Sequence, residues 1–118
     1  MREKPQPYEE TRPWGSFRRF THNELTTVKI ITVKKDERNS LQAHKMRDEM
    51  WVIVEGMMEV TLNDQTNIGN IGDEFWVPAG TKHRFKGLGE TNRLLEISFG
   101  NFDENDNDRF EDDYGRAS

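Results

Sequence analysis

Cysteine does not occur anywhere in this chain of 118 residues. Its absence removes disulfides, thiolate catalysis and sulfur-rich zinc sites together, and it agrees with a reducing compartment. Basic charge is in short supply as well: 17 Lys and Arg stand against 22 Asp and Glu, for a net charge of −5. Nucleic acid is therefore not an expected partner, because phosphate backbones select basic surfaces. No apolar run approaches the roughly 18 residues of a membrane span, and the opening residues Met1-Arg2-Glu3-Lys4-Pro5 lack the apolar core of a secretory signal. We expect no membrane partner and a cytoplasmic location. An internal repeat is missing too, as is any helical apolar period of useful length. Hydrophobic residues reach only 32% and charged residues 33%. A chain of this length fills one modest core, so its apolar side chains must share one inward face.

Short strand-like runs separated by turn residues are what the sequence does contain. The runs are Leu25 to Val33, Met50 to Val54, Met57 to Leu62, Glu74 to Pro78, His83 to Phe85 and Arg93 to Phe99. Asn63-Asp64, Gly69-Asn70, Pro78-Ala79-Gly80 and Gly87-Leu88-Gly89 read as the turns between them. That spacing favours an all-β barrel or sandwich in a single domain, residues 1–118.

Two separated segments carry residues able to ligate a metal. The first runs from Asp36 through Gln42-Ala43-His44 to Glu49 and Gly56; the second runs from Gly72 through Pro78-Ala79-Gly80 to His83. Gln42 and His44 are two apart, so they share one face of a strand. Glu49 is five beyond His44 and has the wrong parity for the same strand, so a bend through Lys45 to Asp48 is expected to return the chain antiparallel. His83 has to arrive from across a barrel, after a turn in which Pro78 fixes φ and Gly80 permits the reversal. Two imidazoles, a carboxylate and an amide oxygen suit one borderline divalent ion, with Zn²⁺ first among Zn²⁺, Mn²⁺, Co²⁺ and Fe²⁺. The remaining histidine, His22, reads as a solvated loop residue.

This paired spacing is similar to the two-part signature of the cupins, with Gln42 where many cupins have a first histidine and Asp36 where they often have glycine. It implies the cupin double-stranded β-helix, a jelly-roll barrel. Longer stretches resemble the type II phosphomannose isomerases, most familiar as the C-terminal domain of bifunctional mannose-1-phosphate guanylyltransferase/mannose-6-phosphate isomerase enzymes. The matching stretches are Arg12-Pro13-Trp14-Gly15-Ser16-Phe17, Ser40-Leu41-Gln42-Ala43-His44, Arg47-Asp48-Glu49-Met50-Trp51-Val52, Val77-Pro78-Ala79-Gly80-Thr81-Lys82-His83-Arg84 and Arg109-Phe110-Glu111-Asp112-Asp113-Tyr114-Gly115-Arg116. They cover residues 12–116 in order. The resemblance implies a divalent metal on Gln42, His44, Glu49 and His83, a sugar-phosphate ligand, and interconversion of mannose 6-phosphate with fructose 6-phosphate. It does not imply nucleotide transfer, and the sugar-nucleotide domain that precedes such a cupin is expected to be absent. The chain departs from the family at Lys45, Met46 and Met50, where histidines are usual, and at Ser98, commonly glutamine.

Isomerisation of this kind passes through a cis-enediol and needs a base besides the metal ligands. Glu55, with the parity of Glu49, and Glu96, in the last barrel strand, are the candidates. Arg47 is the expected contact for substrate phosphate or enediolate, since a guanidinium grips phosphate bidentately. Lys82 and Arg84 flank His83 as further substrate-binding candidates, of which at most one reaches the cavity. A metal- or sugar-binding cupin without turnover, and another metal-dependent cupin enzyme such as a dioxygenase or an epimerase, are the alternatives.

Seven acids crowd the eleven residues from Asp103 to Asp113. A calcium loop starting at Asp103 fails, because its sixth position is Asp108 rather than glycine and its twelfth is Tyr114. Phe110 and Tyr114 within the tail predict that it folds back onto the barrel. Trp14, Phe17 and Phe20 are expected to pack on the barrel's outside, and an exposed outer strand to support a homodimer.

Overall fold

Eleven strands make up the computed structural model, which describes residues 4–116, so that the opening Met1 to Glu3 of the signal-peptide argument lie outside the described residues. They are β1 (Tyr8–Arg12), β2 (Gly15–Arg19), β3 (Thr26–Lys34), β4 (Leu41–Ala43), β5 (Asp48–Glu55), β6 (Met57–Leu62), β7 (Gln65–Asn70), β8 (Glu74–Val77), β9 (His83–Gly87), β10 (Thr91–Phe99) and β11 (Asp108–Glu111). Among the described residues no helix is long and apolar enough to cross a membrane.

Two antiparallel sheets form the barrel, one ordered β3-β10-β5-β8 and the other β11-β4-β9-β6-β7, while β1 and β2 pair only with each other. Alternation along the strands explains the core. Trp51 and Ile53 of β5, Leu94 of β10, Met58 and Val60 of β6 and Phe85 of β9 turn inward and meet between the sheets. Trp51 is fully buried, with its ring edge-on to Phe85 at 5.4 Å. Replacing Trp51 with alanine is expected to cost about 3–5 kcal/mol of stability. Urea unfolding checks this: an unchanged midpoint would remove Trp51 from the core.

The odd-numbered positions of β10 and their neighbours build a second cluster on the outer face. There Met50, Ile97 and Phe99 pack with Phe20, Trp76 and Leu95. Trp76 thus belongs to the outside of the sheet, edge-on to Phe99 at 5.7 Å. Phe20 meets the expectation of external packing, whereas Trp14 sits at the β1–β2 turn and is 74% exposed.

Several expectations change in the folded chain. Gly69-Asn70 is not a turn but the end of β7. Glycine is present there for space: a Cβ on Gly69 would lie 2.9 Å from the Phe75 ring. Asp36, standing where the motif often has glycine, adopts φ 65°, the left-handed conformation a glycine would supply. The acidic tail does fold back, and β11 pairs with β4. Residues 45–47 do not return the chain antiparallel to β4. They carry it across the barrel, because β4 pairs with β9 and β11 in one sheet and β5 with β10 and β8 in the other.

Candidate metal centre and substrate cavity

His83 starts β9, and its register partner Gln42 lies on β4. His44 follows β4 directly, and Glu49 enters from β5 in the opposite sheet. The crossing segment is pinned at both ends. Asp48 accepts a hydrogen bond from the Ala79 N–H at 2.7 Å, and the Gly80 N–H donates to the His44 carbonyl at 2.7 Å. The Pro78-Ala79-Gly80 turn therefore fixes His44 relative to Glu49, as well as delivering His83.

His44, Glu49 and His83 are all buried, and one ligand atom from each lies within 4.8 Å of the others. His44 donates from Nδ1 to the Asp106 carbonyl at 2.8 Å, and His83 donates from Nδ1 to the Thr81 carbonyl at 2.9 Å. A carbonyl can only accept, so each ring carries its proton on Nδ1 and directs the Nε2 lone pair inward. His83 Nε2 is buried and has no hydrogen-bond partner. Burial lowers the pKa of both imidazoles, that of His83 to about 4, against the opposing pull of Glu49. Neutral rings with an Nε2 lone pair are the ligating form; that of His83 is free, and that of His44 faces the Arg47 guanidinium. The Trp51 indole donates to Glu49 Oε1 at 3.0 Å and orients that carboxylate.

Arg47 closes over this cluster. Its Nε donates to Glu49 Oε2 at 3.0 Å, its Nη1 to the Asp103 carbonyl at 3.1 Å, and its Nη2 lies 3.2 Å from His44 Nε2. The guanidinium also stacks 4.3 Å over the Phe102 ring. Expected to contact substrate phosphate or enediolate, Arg47 is buried in the cavity wall with its donors committed to protein groups.

Glu96 comes from β10 and is buried beside Glu49, with which it shares a hydrogen bond. Desolvation, and then the Glu49 charge, raise its pKa to about 7, with Lys29 and Arg47 pulling the other way. Ser98, the register partner of Glu49 on β10, has its Oγ buried without a partner. A cavity of about 230 Å³ opens from this cluster, lined by Gln42, His44, Arg47 and Glu96 together with residues of β3 and the tail. Gln42 lies at its wall, where Oε1 accepts from the Ser40 hydroxyl at 3.0 Å.

The other sequence candidates lie elsewhere. Glu55 shares the parity of Glu49, but six residues of strand carry it about 20 Å along β5. There it ion-pairs with Arg93 at a half-exposed position. Lys82 and Arg84 both point away from the cavity, since each neighbours the inward-facing His83. Lys82 lies 4.4 Å over the Phe110 ring, and Arg84 donates to the Asn39 carbonyl at 3.0 Å and the Glu111 carbonyl at 3.2 Å. None of the family departures at Lys45, Met46 and Met50 lines the cavity. Met46 is 80% exposed and Met50 belongs to the outer cluster. His22 is exposed, as expected of a solvated loop residue, and its Nε2 lies 3.3 Å from Asn23 Nδ2.

Residues that sequence reasoning passed over complete the cavity: Lys29, Phe102, Asn107 and Arg109. Phe102 directly precedes the acidic tail and Asn107 and Arg109 lie in it, where the composition hid an inward-facing basic residue. Alternation within Asp108-Arg109-Phe110-Glu111 was the available signal, setting Arg109 apart from its neighbours.

Residues 2–112 match the family model described as mannose-6-phosphate isomerase C-terminal. The chain belongs to that family. Among relatives, the domain is 38% identical over 108 residues to the xanthan biosynthesis protein XanB of Xanthomonas campestris, covering 90% of this chain and 23% of that protein. It is 36% identical over 109 residues to the alginate biosynthesis protein AlgA of Pseudomonas aeruginosa, covering 91% and 23%. The domain thus spans about a quarter of the length of these relatives. Its cupin fold is shared with a 3,4-ketoisomerase from Helicobacter canadensis, at a TM-score of 0.73 and 18% identity over 88% of this chain and 86% of that one.

Proposed function

We propose that the domain interconverts mannose 6-phosphate and fructose 6-phosphate by proton transfer between C1 and C2, with one divalent ion held by His44, Glu49 and His83 and with Gln42 as a fourth ligand. The observation that carries this reading is the convergence of two neutral Nε2 lone pairs on the Glu49 carboxylate, with a second carboxyl, Glu96, buried alongside and left out of the ligand set. The ligand types fit a borderline ion, and the unpartnered His83 Nε2 is an atom that such an ion would satisfy. Zn²⁺ is the first choice, with Mn²⁺, Co²⁺ or Fe²⁺ compatible with the same donors. When bound, the ion supplies a Lewis acid that polarises the substrate carbonyl and lowers the cost of the enediolate.

The chain's own residues supply the rest. Glu96 takes the proton from C2 of the aldose and returns it to C1, so that one carboxyl serves both directions of the reaction. Arg47 presents its guanidinium at the ligand cluster, where a fixed cation favours an oxyanion as it forms. The Asp106 and Thr81 carbonyls hold the two imidazoles in register, and Trp51 holds Glu49.

A coupled assay with mannose 6-phosphate, run beside proton exchange at C2 in deuterated water, tests the reading. Expected are turnover and exchange that stop on chelation and return with metal. Binding of the sugar phosphate by metal-loaded protein without exchange would leave a binding module. Oxygen uptake by the iron-loaded protein would point to an oxygenase, whose two-histidine, one-carboxylate set is also present.

A further inference from the structure

Four cationic side chains line the cavity: Lys29, Arg47, Arg109 and Arg116. Three of them already have anionic partners. Arg47 is bound to Glu49, Lys29 lies 3.8 Å from Glu104, and Arg116 grips both carboxylate oxygens of Asp112 at 3.0 Å. Arg109 has no ion pair and no side-chain hydrogen bond among the described residues, and its Nε is buried without a partner. A permanent cation with a buried, unpaired donor is costly to a fold. Where one persists at a cavity wall, a ligand is the natural source of the missing acceptor.

We infer that Arg109 is the anchor for the phosphate monoester of the sugar ligand, a role expected from the sequence of Arg47, Lys82 and Arg84. The inference rests on the sugar-phosphate reading of this cavity. Arg109 is in register with Gln42, and Gln42 with His83, so Arg109 stands two strands from His83 along the same sheet. Strand spacing makes that about 10 Å. The separation suits a ligand whose reacting carbons and anionic group lie at opposite ends of one molecule.

Other unpartnered polar atoms of the same cavity fit the remainder of such a ligand. Asn39 Nδ2 and Asn107 Oδ1, on residues of the same lining, are also buried without partners. Together the three offer a cationic donor, a neutral donor and an acceptor, a set that an anionic polyol satisfies and that a simple anion does not. The strand that carries Arg109 is held firmly. Arg84 donates to the Glu111 carbonyl, and Arg38 grips both carboxylate oxygens of Asp113 at 2.7 and 2.8 Å. Between Arg109 and Glu111 the pairing with β4 shifts register, an irregularity of the kind that re-aims a side chain. Arg84 and Arg38 thus tie the end of β11 and the residues just after it to the barrel. Holding the backbone of that strand beforehand reduces the ordering cost of binding.

Calorimetric titration of the metal-loaded protein with fructose 6-phosphate, fructose, inorganic phosphate and mannuronate decides the matter. Arg109→Ala is expected to weaken fructose 6-phosphate about 10- to 100-fold, with fructose unchanged; Arg109→Lys should recover part of the loss. In kinetics the main change should fall on KM. An Arg109→Ala variant that binds fructose 6-phosphate within about twofold of the parent overturns the assignment, and if isomerisation persists the functional reading survives that failure. Loss of sugar-phosphate binding in Arg109→Ala, with a parent that does not isomerise, keeps the anchor and rejects the isomerase. Tighter, Arg109-dependent binding of mannuronate than of fructose 6-phosphate would overturn the phosphate assignment in favour of a carboxylate. Should Arg109→Ala fail to fold, the comparison passes to Arg109→Lys, for which an affinity equal to the parent's also overturns the proposal.

Discussion

Purified from metal-sufficient medium, the protein should carry close to one divalent ion per chain, and His83→Ala should lower its metal affinity by at least about 100-fold. His44→Ala should do the same. Each of these rings offers a neutral Nε2 because its Nδ1 proton is already held by a backbone carbonyl, so removing either ring deletes a ligand that is oriented in advance. Gln42→Ala should cost much less. Its amide oxygen is uncharged, lies at the cavity wall and already accepts a hydrogen bond from Ser40. Metal analysis of the purified variants, with competition against a chromophoric chelator, gives the affinities. His83 also packs edge-on to Trp51 at 5.4 Å, so thermal unfolding of the variants must run in parallel to separate lost packing from lost coordination. Stoichiometric metal retained by the His44→Ala, His83→Ala double variant would sink the assignment.

Glu96→Gln is expected to lower kcat by about 10² to 10⁴-fold, with metal content unchanged and KM within a few-fold of the parent. Glutamine keeps the shape and a hydrogen-bonding partner for Glu49 but cannot move a proton. Position is the basis for choosing Glu96 over Glu55: Glu96 lines the cavity beside Glu49, whereas Glu55 is tied to Arg93 at the far end of β5. Exchange at C2 in deuterated water should fall with turnover, since both require the same proton transfer. A Glu96→Gln variant with parental kcat would mean that another group carries the proton. Loss of metal from this variant would show instead that its main effect is on Glu49.

What was legible in the sequence depended on rules that reach only a few residues. Strand-like runs marked out most of the barrel strands, and the spacing of Gln42, His44, Glu49 and His83 was enough to expect a cluster, because strand parity and turn residues act locally. Glu55 was misplaced by that same parity. Period-two reasoning says which face a side chain takes and nothing about how far along the strand the site lies. Gly69 looked like a turn because a glycine fixed by close packing on Phe75 and a glycine that permits a reversal are identical in sequence. Asn92 is a further case. It is completely buried, and its side chain satisfies the backbone of Val33, Met57 and Gly89, contacts that join segments far apart in the chain.

The sequence by itself determined an all-β chain, the family to which it belongs and the three residues, His44, Glu49 and His83, that meet where a metal could be held, since composition, alternation and motif spacing are carried by near neighbours. Tertiary structure decided which charged groups meet in the cavity. Pairing of β11 with β4 brings Arg109 into line with Gln42 from 67 positions away, and the crossing from β4 to β5 folds Arg47 down onto Glu49. Contacts of that kind are set by how two sheets close on each other, a property of the whole chain that no local pattern encodes.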